Sequence, residues 1–164
     1  MTTVRCYVPL TGERLAALRQ DRRLGGPLRA TAVTDALRAQ EPGADTDELE
    51  YAATQVAAVT LAGSGSPVVL AAVDVDTRLV TPAAADDVWI EVASVELPRV
   101  AALHLGDDVV AGDPSLPSAG DGEEVELSWF DTTELDHVLE LTRRLEQDLP
   151  GTASPGPTTD PRTD

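Results

Sequence analysis

Two groups of side chains in this sequence could do chemistry. Asp74-x-Asp76 closes the apolar run VVLAAVDV, and Asp107-Asp108 closes another, so four carboxylates stand at predicted strand ends. Open sheets containing parallel strands collect ligands at such ends. If the two strands are neighbours, Asp74, Asp76, Asp107 and Asp108 can converge on Mg²⁺ or Ca²⁺, which take oxygen ligands, and the chemistry is metal-assisted hydrolysis. The chain has no EF-hand spacing and no phosphate-cradling glycine loop. Solvated turn aspartates are the simpler reading in an acidic protein.

The second group is Cys6 with His104, both on predicted strands and able in principle to form a thiolate–imidazolium pair. No local signature of a cysteine hydrolase surrounds Cys6, and cysteine is among the most frequently buried residue types, so a core filler is favoured. His137 falls opposite the apolar stripe of its helix, near Glu140 and Arg144, and reads as a solvated surface histidine. No serine has a nucleophile-elbow context and no His/Cys cluster has zinc spacing. Neither catalytic residues nor a cofactor are called for.

Composition limits the remaining classes. The 164 residues carry 29 acids against 12 basic residues, all arginine, for a net charge of −17. The split is uneven: residues 1–40 hold seven arginines and three acids, residues 41–164 five arginines and 26 acids. Such a surplus opposes phosphate backbones and anionic membrane surfaces, so nucleic acid and membrane are excluded as default partners. A protein partner or a homo-oligomer stays open. A single cysteine rules out an internal disulfide, and the opening MTTVRCYVPL has no apolar core of a secretory signal, so the expected compartment is the cytoplasm. Aromatic residues make up 3% of the chain, so the core must come from Leu, Val and Ala, with small residues where helices meet the sheet.

The elements that position these residues read as follows. A strand over Val4–Val8 stops at Pro9, and Thr11 caps a helix with Leu15 and Leu18 inward, ended by Gly25-Gly26-Pro27. A short helix spans Thr34–Gln40. Asp45 with Glu48 three residues on forms an acidic capping box for a helix running to about Ala62. Its predicted inner stripe is Leu49, Ala52, Ala53, Val56, Val59 and Thr60; its opposite face carries Tyr51, Thr54, Ala58 and Ala62. No charge follows Glu50 on this helix, so both sides are expected to be covered. Either another part of the domain covers the Tyr51 face, or Tyr51, Thr54 and Ala58 form a partner-binding patch anchored by the aromatic ring.

Val68–Val75, Val88–Val95, Val100–Leu105 and Val125–Trp129 are the further strands. The final helix begins at the Asp131-x-x-Glu134 cap and presents Leu135, Val138, Leu139, Thr142, Leu145 and Leu149. A turn-rich loop at 111–123 is expected to be mobile, and 150–164 a disordered tail. The fold class is α+β: one domain over residues 1–149, a single mixed sheet of about five strands with three to four helices, and a helical crossover joining the first strand to a parallel Val68–Val75.

VRCYVPLT at the start, TDALRAQEPGADTDELEYAA at 34–53 and SWFDTTELD at 128–136, with VVLAAVDV and RVAALHLGDD between them, resemble an uncharacterised family of small acidic proteins from high-GC Gram-positive bacteria. The likeness covers most of residues 4–140. It implies no activity; it implies packing and capping roles for Tyr51, Trp129 and Asp131. The functional expectation is a small acidic cytoplasmic binding or regulatory protein acting through protein–protein contacts, with the metal-assisted hydrolase as the alternative.

Overall fold

The computed structural model describes residues 2–82, 87–116 and 124–148, and of residue 148 the backbone alone. Among them lie seven strands: β1 (Thr3–Pro9), β2 (Arg23–Ala32), β3 (Val69–Asp76), β4 (Val80–Pro82), β5 (Trp89–Glu96), β6 (Val100–Gly106) and β7 (Leu127–Phe130). The helices are α1 (Gly12–Asp21), α2 (Asp35–Gln40), α3 (Thr46–Gly63), α4 (Asp107–Ala111) and α5 (Leu135–Asp148). One sheet contains every strand in the order β4-β5-β2-β1-β3-β6-β7.

Every pairing is antiparallel, which corrects the expected mixed sheet of about five strands. The two extra strands are β2 and β4. Leu24, Leu28, Ala30 and Ala32 of β2 are buried, while Gly25-Gly26-Pro27, read from sequence as a stop, forms an irregularity inside the strand where its register against β5 shifts. The helical crossover does exist, but it joins β2 to β3. These two strands run the same way on either side of β1, and β1 opposes both.

Local signals build the helices as their residue types dictate. The Thr11 hydroxyl accepts from Arg14 N at 3.1 Å, Thr34 accepts from Leu37 N at 3.2 Å, and Asp45 with Glu48 closes a full capping box. These contacts satisfy amide groups that a helix's first turn leaves without partners. Asp131 and Glu134 form a second box at the 3₁₀ turn leading into α5.

The main core lies between one sheet face and α1, α4 and α5: Cys6, Val8, Val73 and Leu103 meet Leu15, Leu18, Val138 and Leu145. The predicted α5 stripe is buried from Leu135 to Leu145, with the buried Thr142 hydroxyl donating to Val138 O at 2.8 Å. Leu149 and the tail lie outside the described residues, as does the expected mobile loop from residue 117 to 123. On the opposite face α3 packs its alanines, Ala53, Ala57 and Ala58, against the sheet. There the Thr31 hydroxyl donates to Ala53 O at 2.7 Å. Among the described residues no helix is long and apolar enough to cross a membrane.

Candidate functional site

The four aspartates do not meet. Val69 of β3 pairs with Leu105 of β6, so Asp107 and Asp108 follow β6 at the start of β3, whereas Asp74 and Asp76 stand at its end. The antiparallel register is the physical reason: it sets the end of one strand beside the beginning of the other.

Three of the four carboxylates serve as local acceptors. Asp74 takes a bidentate pair from Arg5 on the neighbouring strand, at 2.7 and 3.0 Å. Asp76 caps the 3₁₀ turn Thr77–Leu79, accepting from Arg78 N at 2.9 Å and from Arg78 Nη2 at 2.8 Å. The hydrogen bond from the Arg78 side chain is the main reason its carboxyl lies below the usual range. Asp108 is buried and accepts from Val68 N at 3.1 Å and Val109 N at 2.8 Å. Burial nevertheless pushes its pKa up to about 6. Among the described residues no group of three or more His, Cys, Asp or Glu side chains is placed to hold a metal ion.

Cys6 and His104 lie on opposite faces of the sheet. Cys6 packs with Val73, in register with it, in the core under α1 and α5, and burial pushes its thiol up to about 12. His104 is half-buried on the α3 face, in register with Leu70 on one side and Trp129 on the other. Burial and then the Arg5 charge lower its pKa, so it stands as a neutral imidazole near neutral pH. His137 is exposed, with its ring centroid 6.2 Å from that of Phe130, and Arg144 reaches Glu140 at 2.9 Å as its helical spacing predicts.

The features that remain gather around α3. Tyr51 is 49% exposed, and its hydroxyl donates to Glu124 at 2.8 Å, which raises its pKa. One turn further, the Gln55 amide donates to Val125 O and accepts from Val125 N, at 2.8 and 2.9 Å, so α3 is clipped to the segment entering β7. The other two residues of the expected patch turn inward. Thr54 is buried and bonds Glu50 O at 2.7 Å, and Ala58 is fully buried against Val68 and Leu70.

Val59, expected inside, is instead exposed, and Ala52 and Val56 are half-buried. The helix is rotated relative to the predicted stripe because close approach to the sheet selects its alanines and leaves the bulkier valines outside. That difference in size was the signal available in the sequence.

Two concavities flank Tyr51. The larger, about 820 Å³, has Leu37, Ala52, Val56 and Val59 in its walls. Glu41, Asp47, Glu48 and Glu124 supply its acidic residues. The smaller, about 530 Å³, lies between Thr54 and Gln55 of α3 and His104, Leu127 and Trp129 of the sheet. Trp129 was expected to pack, yet it is 63% exposed on the edge strand β7. Asp131 does cap, as the resemblance implied.

A family model described as a family of unknown function, DUF6912, fits residues 4–139. No curated protein and no solved structure matches the chain. A match of that extent, running from β1 into α5 and taking in every element around α3, places the chain in DUF6912.

Proposed function

We propose that the chain is a small cytoplasmic binding or regulatory module acting through protein–protein contacts, with the outer face of α3 around Tyr51 as its contact surface. One observation carries the reading: Tyr51 and Val59 stand exposed on a helix without a charged residue after Glu50, beside a concavity with acidic side chains at Glu41, Asp47, Glu48 and Glu124. An aromatic ring set among apolar groups within a polar border is the composition of an interface hot spot.

The acids select the partner's chemistry. A segment presenting apolar side chains flanked by Arg or Lys gains from this border, whereas a second copy of a chain of net charge −17 brings the same acids to the contact. A protein partner is therefore favoured over a homo-oligomer. Of the original triad, Tyr51 is the anchor, Thr54 lines the adjoining smaller concavity, and Ala58 supports the helix from beneath.

Native mass spectrometry of the protein purified from its own host tests this reading, with Tyr51→Glu and Val59→Glu purified in parallel. The expected result is a stoichiometric complex that each variant weakens at least about tenfold, since hot-spot truncations cost about 2 kcal/mol or more. Both variants should keep the wild-type circular dichroism, because the exposed Tyr51–Glu124 hydrogen bond contributes only about 1 kcal/mol. A complex retained at full strength by the double variant would overturn the assignment of this face.

A further inference from the structure

Two arginines of the basic N-terminal segment, Arg22 and Arg23, lie near two arginines of the acid-rich remainder, Arg78 and Arg99, at a place unrelated to α3. Two 3₁₀ turns, Thr77–Leu79 after β3 and Leu97–Arg99 after β5, meet at one end of the sheet, the first touching β5 and the second touching β3. Between them is a concavity of about 460 Å³ whose walls include Asp76, Arg78, Ser94, Glu96 and Arg99. The end of α1 arrives at the same turn. The Arg22 carbonyl accepts from Leu97 N at 2.9 Å, and Arg23 pairs in register with Glu96. Four of the 12 arginines thus surround this turn, against the acids Asp21, Asp76 and Glu96, in a protein whose net charge is −17.

The arginines are prepared to different degrees. Arg78 is held in place: its Nε and Nη2 groups face the buried Asp76, leaving Nη1 directed elsewhere. Arg99 lies close enough to lower the Asp76 pKa, yet makes no hydrogen bond or ion pair among the described residues. Its planar fork of N–H donors is therefore available, and that geometry matches a carboxylate or phosphate bidentately. Arg22 is the one non-glycine residue at positive φ among the described residues, at 58°, in a helix-capping position that ordinarily takes glycine.

We infer that this concavity binds a small oxyanion, a phosphate or carboxylate group, chelated by Arg99 and steadied by the Asp76-held Arg78. The two arginines of the walls balance the two acids Asp76 and Glu96, so an anion meets less repulsion here than over most of a surface of net charge −17, and Arg99 is the cation it would pair with. The interleaved acids keep the patch too small for a nucleic-acid backbone, so the ligand is a single small molecule or group.

The test is thermal unfolding of the full chain in sodium chloride of fixed ionic strength, with low-millimolar phosphate in one arm and citrate in the other. At that concentration general salting-out is negligible. A ligand at about ten times its Kd should raise the midpoint by about 4 °C. Amide signals of Arg78, Leu79, Ser94 and Arg99 should shift in the same titrations. Response to phosphate alone identifies a phosphoryl ligand, and response to citrate alone a carboxylate. Arg99→Gln, which breaks no ion pair, should weaken binding at least tenfold while the unliganded midpoint stays unchanged; Arg78→Gln provides a second variant. No response in either arm beyond that to chloride overturns the site, as does a response that survives the double variant.

Discussion

Asp108 shows how a side chain can be fully bonded and still work against the fold. Two backbone amides point at its carboxylate, but burial outweighs them, and its pKa rises from 3.8 to about 6. A folded-state pKa above the unfolded one means that the folded chain holds the proton more tightly. The resulting stability is complete below pH 4 and lost as pH rises through 6. Urea unfolding should therefore show wild-type stability falling by about 2 kcal/mol between pH 4.5 and 7 from this group, and the slope should flatten in Asp108→Asn. Cys6 makes the complementary case. With its thiol buried and its pKa near 12, it should resist a thiol reagent at pH 8 in the native protein and react promptly once denaturant is added. Rapid labelling of the native state would contradict its burial.

At the scale of elements, the pair Gly25-Gly26 separates two roles that look alike in sequence. A Cβ on Gly26 would overlap the Ala93 carbonyl oxygen of β5, whereas one on Gly25 meets nothing within 4 Å. Chemical denaturation should find Gly26→Ala destabilised by at least about 2 kcal/mol and Gly25→Ala within about 0.5 kcal/mol of wild type. The same dipeptide explains why β2 was hard to read. Glycine and proline ordinarily mark a chain break, and only tertiary pairing with β5 shows that the strand continues through an irregularity. Strands of continuous Val and Leu, the capped helix starts and the α5 stripe were legible because their patterns are local. The β1–β3 orientation was not, since it depends on a strand that the Gly-Gly-Pro sequence concealed. On α3 the placement of Tyr51 off the inner stripe was legible, but its exposure was left open and the rotation of the helix was not legible, because apolar residues surround more than half of it and side-chain size decides which of them face the sheet.

Over the whole molecule the charge surplus is the dominant field. Screening it should help the folded state, so raising sodium chloride from about 20 mM to about 0.5 M should raise the unfolding midpoint by a few degrees. A fall instead would mean that the five ion pairs of the described residues outweigh the general repulsion. The carboxylate cluster expected from the sequence is not assembled at this scale: Asp74 sits within the β3 ladder and Asp76 ends it, Asp107 and Asp108 follow β6 at the opposite end, and which ends meet is a property of the complete strand order. That order has a consequence for how the protein is made. β1 is synthesised before every other strand of this sheet, yet its longest ladder is with β3, and the Arg5–Asp74 pair that joins them spans 69 residues. A nascent chain arrested before Val69 holds a strand with one edge unfilled, and the centre of the sheet closes only after Val69–Asp76 has been synthesised. Synthesis order and spatial order thus run against each other, leaving the N-terminal strand dependent on a neighbour that emerges much later.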